Sequence, residues 1–310
     1  MGAGGHRPDG TFPPRLGAHR RPGARAGGLD RHRGPADDRR APSGPPRVIL
    51  RDLGRTYRAV RPDLRGPALL GLTVRGTLAY GAYWARLGTL PWLGRAQIDR
   101  LVHGVGLDDV LEGMASRRGQ VLVLLHLGHF ELAGAWAAPR LGGLTTVAEE
   151  LPPGPAAVLT ARARAAAGLE VVPAGSGSAG ARRLLSVLHA GGAVALLVDR
   201  DLADRGMRSR RVPVQIGGLA TTFAAGPAEL ALATGADLRP VSVTTSGRGA
   251  PRHQVRFGAA VPVGSGPRAE QVEQMTRACA EVLGEAVLRR TQDWHLTRLP
   301  AVAPPAGVRP

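Results

Sequence analysis

The stretch Val121-Leu122-Val123-Leu124-Leu125-His126-Leu127-Gly128-His129-Phe130-Glu131-Leu132-Ala133-Gly134-Ala135-Trp136 decides the fold. Five consecutive apolar residues read as a buried strand, Gly128 as a step in the loop, and Glu131 as the first turn of a helix. The strand therefore ends on a titratable histidine. Outward from it, short apolar runs alternate with helical stretches. Strands are expected at Val121–Leu125, Leu144–Ala148, Leu169–Pro173, Ala193–Val198, Asp237–Val243 and His253–Phe257. Helices are expected at Phe130–Pro139, Ala156–Ala167, Gly180–Ala190, Thr222–Thr234 and Pro267–Arg290. Strands separated by helices of this length predict an α/β layered sandwich, with a largely parallel central sheet flanked by helices. In such sheets ligands bind beyond the carboxyl ends of strands, where His126 and Asp199 both fall.

Upstream, residues 48–66 read as a basic helix interrupted at Pro62, and Ala68–Leu90 as a longer apolar helix. Arg75 and Arg86 within the second argue against a membrane span, whose centre tolerates arginine poorly. Packing in the core and docking at a headgroup boundary through Tyr80, Tyr83 and Trp84 are equally open readings. Residues 1–47 are rich in Gly, Pro and Arg and poor in large apolar side chains, so they read as a disordered tail. Residues 300–310 read as a second tail, leaving 48–299 as one domain.

The 310 residues carry a formal charge of +17, with every basic residue an arginine. The absence of lysine excludes a Gly-Lys-Ser/Thr phosphate loop, a Schiff base and a Ser-Lys nucleophile pair, each of which needs the amine itself. The single cysteine, Cys279, rules out an internal disulfide and a zinc ribbon. Positive charge calls for an anionic partner, such as a phospholipid headgroup, a phosphate-bearing substrate or nucleic acid. With 4% aromatic residues, the stacking platforms of a single-strand nucleic-acid binder are mostly missing.

Several chemistries compete at 126–131. A carboxylate at Glu131 could fold back from the first helical turn, fix the His126 tautomer and leave the other ring nitrogen as a base. His126, His129 and Glu131 could instead ligate a metal, although H-x-x-H-x-E is not the helical zinc pattern. His126 could be structural. A covalent serine route lacks the G-x-S-x-G elbow. Spacing alone does not rank these. Gly175-Ser-Gly177-Ser-Ala-Gly180 is also a literal G-x-G-x-x-G, with Asp199 ending the next strand, which keeps an NAD(P)-dependent oxidoreductase as an alternative. The loop lies after the third expected strand rather than the first, and we read it as a turn. A noncatalytic basic protein that binds membrane or nucleic acid is the other alternative.

His126-Leu-Gly-His-Phe-Glu131 resembles the H-x4-D/E motif of glycerolipid acyltransferases. Its context is similar to the bacterial branch that holds lipid A late acyltransferases and actinobacterial phosphatidylinositol mannoside acyltransferases. Tyr80 to Trp84, Thr146-Val-Ala-Glu149, Arg164 with Gly168 to Pro173, Asp199-Arg200-Asp201, Ala225 to Gly235 and Asp293-Trp294-His295 follow in the same order. The chain departs from the pattern at His129, where asparagine is usual, and in the Gly/Arg/Pro tail, which stands where membrane-associating helices are usual. The resemblance implies an acyltransferase domain over 48–299. It implies that His126, backed by Glu131, deprotonates a glycolipid hydroxyl, that of a phosphatidylinositol mannoside first of all, for attack on an acyl-CoA thioester. Arg164, Glu149, Asp199, Arg200 and Glu229 then shape the substrate pocket. The implied partners are acyl-CoA as co-substrate, an anionic glycolipid or phospholipid and a membrane surface. No metal, resident cofactor or nucleic acid is expected, and the expected location is peripheral, on the cytoplasmic face of the plasma membrane.

Overall fold

The computed structural model describes residues 46–201, 210–246 and 252–297. Both expected tails lie wholly or almost wholly outside these residues. The chain opens with two helices, α1 (Pro46–Val60), which stops two residues short of Pro62, and α2 (Gly66–Thr89). A short helix α3 (Arg95–Leu101) leads into β1 (Val102–Val105), followed by α4 (Leu107–Ala115), β2 (Gln120–Leu124) and α5 (Phe130–Ala137). Then come β3 (Leu144–Ala148), α6 (Pro155–Ala166), β4 (Leu169–Pro173), α7 (Gly177–His189) and β5 (Ala193–Leu197). A hairpin, β6 (Arg211–Ile216) and β7 (Leu219–Ala224), precedes α8 (Gly226–Thr234), β8 (Asp237–Thr245), β9 (His253–Phe257) and α9 (Arg268–Arg289).

Seven strands form one sheet in the order β1-β9-β8-β2-β5-β3-β4. All its pairings are parallel except β8 with β9. This is the layered α/β architecture expected from the sequence. β2 is central and buried along its whole length, which is why its sequence is continuously apolar instead of alternating. Its side chains still alternate between faces. Val121, Val123 and Leu125 join the core shared with α8, α9 and the hairpin, while Leu122 and Leu124 join the core under α5.

Two expectations require correction. The helix placed at Thr222–Thr234 starts at Gly226, because Thr222 to Ala224 close the hairpin. The β-branched pair Thr221-Thr222 favours a strand, and Gly217 supplies the positive φ of the hairpin turn at +55°. The second concerns β1, which is too short and too interrupted by Gly104 to show a strand period. Its glycine is required by packing, since a Cβ there would lie 2.1 Å from the Trp136 ring.

The two ends of the described chain meet. The Thr56 hydroxyl donates to the Leu296 carbonyl (3.0 Å) and the Tyr57 hydroxyl to that of Trp294 (3.1 Å). Tyr80 and Tyr83 on α2 are buried, whereas Leu70, Val74 and Leu78 on the same helix are exposed. The headgroup-boundary reading of the two tyrosines thus gives way to the core reading. Among the described residues, no helix is long and apolar enough to cross a membrane.

Candidate active site

β2 and β5 are neighbours, with Leu124 opposite Leu197. Two residues further on, at the carboxyl ends, His126 and Asp199 stand side by side. The Asp199 carboxylate accepts three bonds. They come from His126 Nδ1 at 2.6 Å, the His126 backbone N–H at 3.0 Å and the Trp294 indole N–H at 2.8 Å. Asp199 is only 1% exposed. Burial alone would raise its pKa, but the charge of a protonated His126 and the donated bonds outweigh that and hold it at about 2. An ionised Asp199 fixes the proton of neutral His126 on Nδ1, leaving the Nε2 lone pair as a base. Burial lowers the His126 pKa first and the Arg200 cation second, against the pull of Asp199.

The loop bearing His126 is braced by the C-terminal segment. Gly128 N–H donates to the Asp293 carbonyl (2.7 Å), and His295 N–H donates to the His126 carbonyl (2.8 Å). Gly128 has φ +61°, and a Cβ there would come within 2.4 Å of the Val243 carbonyl oxygen. Only glycine fits that step. His129 is the N-cap of α5, its Nδ1 accepting the Leu132 N–H (3.2 Å).

The expected contact between Glu131 and His126 is replaced by another. Glu131, buried in the first turn of α5, receives both Nε and an Nη of Arg164 at 2.9 and 2.8 Å. The first turn carries its carboxylate toward α6 while the strand end carries His126 toward β5. The histidine, His129 and Glu131 each have a different partner, and among the described residues no group of three or more His, Cys, Asp or Glu side chains is placed to hold a metal.

His126 opens onto a cavity of about 580 Å³. Of the expected substrate-binding residues, Arg164, Glu149, Arg200 and Glu229 line it, together with Tyr80 and Trp84 from α2. Asp199 does not; it stands behind the histidine. Trp294 and His295, quoted from the sequence as part of the last matching block but given no role, belong to this site, Trp294 through its bond to Asp199 and His295 as a lining residue, whereas Arg210 and Arg268, which line the same cavity, were not singled out. A narrower apolar space of about 60 Å³, lined by Leu122, Leu124, Ala133, Phe257 and the Glu131–Arg164 pair, shares Phe130, Val147, Arg164 and Leu197 with the larger cavity.

The Gly175–Gly180 segment is a short turn that runs directly into α7 at Gly177. The Ser176 hydroxyl bonds back to the Pro173 carbonyl, and a Cβ at Gly180 would meet that hydroxyl at 2.5 Å. Its third glycine thus makes room for Ser176. Asp199, the acid that would have met a ribose, is held by His126 and Trp294.

A buried His–Asp pair at adjacent strand ends, opening on a cavity with arginine and apolar walls, has the geometry of a general base beside a substrate-sized space. The chain belongs to the bacterial lipid A biosynthesis acyltransferase family, which it matches over residues 74–298. It is similar to the phosphatidylinositol mannoside acyltransferase of Mycobacterium tuberculosis, with 32% identity over 221 residues, 70% of this chain and 66% of the relative. The chain thus spans just under two thirds of that relative's length. The phosphatidylinositol mannoside acyltransferase of Mycolicibacterium smegmatis is 30% identical over 258 residues, 83% of this chain and 79% of the relative.

Proposed function

We propose that this protein transfers a fatty acyl group from acyl-CoA to a hydroxyl of a membrane glycolipid, a phosphatidylinositol mannoside in the first instance. The observation that carries the reading is His126, backed by Asp199, at the wall of the 580 Å³ cavity. The acceptor hydroxyl gives its proton to His126 Nε2 as its oxygen bonds to the thioester carbonyl carbon. The imidazolium so formed is stabilised by Asp199. Collapse of the tetrahedral species breaks the C–S bond and expels a thiolate, whose thiol has a pKa of about 8.5. The thiolate takes the proton back from His126 and leaves as free CoA. General base assistance of this kind contributes about 10²- to 10⁴-fold.

The names of the two mycobacterial relatives support the choice of acceptor. The apolar part of the 580 Å³ cavity, with Leu151, Leu184, Leu185 and Leu230 in its wall, suits an acyl chain, and Arg164 is held where the narrower space meets that cavity. A peripheral position on the membrane is supported by the exposed Leu70, Val74 and Leu78, and the cytoplasmic face is proposed only because acyl-CoA is supplied there. The three side chains recur every four residues as one stripe of α2.

The test is release of free thiol from palmitoyl-CoA, with and without purified phosphatidylinositol mannoside. Acceptor-dependent release with formation of an acylated lipid is expected, and its loss in His126→Ala. Equal release by that variant, or release that ignores the acceptor, would overturn the proposal.

A further inference from the structure

Part of the cavity has polar groups that proton transfer at His126 does not use. Arg268, the first residue of α9, lines it, and so does Arg210, just ahead of β6. Both guanidiniums are held by neighbouring elements. Arg268 donates through an Nη to the Glu229 carbonyl at 3.2 Å, and Arg210 bonds the Ala269 carbonyl at 3.3 Å and pairs with Glu273. A guanidinium has five N–H donors, so the bond to Glu229 leaves most of those on Arg268 unspent. Arg268 has no carboxylate partner among the described residues.

Stability alone does not favour this placement. Arg268 puts a cation at the positive end of a 22-residue helix that has no side-chain cap, where an acid would be favoured. Gly226 and Pro227, which begin α8 with no side-chain cap, line the same cavity. Fixed, planar donors beside an open cavity match the oxygens of a phosphate ester, which arginine binds through its fork. Both substrates of the proposed reaction carry such a group at a distance from the reacting atoms: CoA beyond its neutral pantetheine arm, and the acceptor in its phosphodiester.

We infer that Arg268 and Arg210 form a phosphate-binding subsite that anchors one substrate of the acyl transfer away from His126. The inference rests on the acyl-transfer reading. Arg268 is exposed, so its replacement leaves the core untouched. In Arg268→Gln and in the Arg210→Gln/Arg268→Gln double variant, the KM of the anchored substrate should rise about tenfold or more, the strength of a hydrogen bond to a charged group.

If the donor is anchored, the rise appears with palmitoyl-CoA and vanishes with palmitoyl-pantetheine, which lacks phosphate. If the acceptor is anchored, it appears with phosphatidylinositol mannoside and vanishes with an alkyl mannoside. Unchanged KM values in both variants while the wild type turns over would overturn the subsite and leave the transferase standing. An equal penalty on phosphate-bearing and phosphate-free substrates would overturn it as well. Should the wild type transfer no acyl group, the acyl-transfer reading fails. Calorimetric titration with CoA and with inorganic phosphate then decides the subsite alone: tighter binding by the wild type than by Arg268→Gln supports it, and equal binding overturns it.

Discussion

His126 Nδ1 lies 2.6 Å from Oδ1 of Asp199, each residue standing two positions beyond a pair of leucines in register on adjacent parallel strands. The sheet therefore sets the contact, through two strands buried on both faces. The Trp294 indole, itself fully buried, holds the other carboxylate oxygen. Trp294→Phe puts a smaller ring in a fully buried site and removes that one donor. It should lower kcat by about tenfold, the effect of one hydrogen bond to a charged group, and lower the unfolding midpoint while the protein still folds. Steady-state kinetics and thermal unfolding check both.

Glu131 and Arg164 form an ion pair whose side chains are 6% and 21% exposed. Removing one partner strands the other. Arg164→Met should cost about 3–5 kcal/mol of stability, measured by denaturant unfolding. The double variant Glu131→Gln/Arg164→Met should recover a good part of it, because no charge is then left buried. A double variant no more stable than Arg164→Met would contradict the pairing.

The pH dependence of the reaction follows from the direction of the His126 shift. The base must be neutral, and burial and Arg200 place its pKa below the ordinary histidine value of about 6.5. The acid limb of kcat/KM should therefore lie below pH 6.5. Arg200→Gln removes a cation that opposes the imidazolium, so the limb should move upward. A limb that stays in place or moves downward would show that the Arg200 charge does not reach the base.

Three other histidines make stability depend on pH. His129, His253 and His295 are buried with ring nitrogens that lack partners, and burial in each case is the main reason their pKa values fall to about 3, 4 and 3. Unfolded, they titrate near the ordinary value, so between pH 6.5 and 4 the unfolded chain takes up protons that the native state refuses. Stability should be flat above that window and fall as pH drops through it, by at most about 1.4 kcal/mol per pH unit for each histidine. His129→Asn retains an N-cap for α5 and should flatten the slope by one proton. Urea unfolding across pH 4–7.5 tests this.

Much of this was legible in the sequence. The apolar run at 121–125 marked a buried strand, and strands 144–148, 169–173 and 253–257 fall where composition put them. His126 stood out as a candidate because a titratable residue ends that apolar strand, but spacing left base, metal-ligand and structural roles open, and the resemblance to the acyltransferase motif chose among them. Its partner was not visible. Glu131 is near in sequence, but Asp199 is 73 residues away and becomes adjacent only because β2 pairs with β5 and not with β3. No local periodicity encodes strand order. Arg268 escaped notice for a similar reason, since a charged residue at a helix start looks solvated until the cavity beside it is known.

In the proposed reaction Asp199, and not Glu131, orients His126 as the base. The most direct measurement is kcat for acyl transfer from palmitoyl-CoA to phosphatidylinositol mannoside in Asp199→Asn and Glu131→Gln, compared with wild type. Asp199→Asn should lose about 10²- to 10⁴-fold, as the ring loses the carboxylate that fixes its tautomer, and Glu131→Gln should lose far less. A loss in Glu131→Gln equal to or greater than that in Asp199→Asn would contradict it.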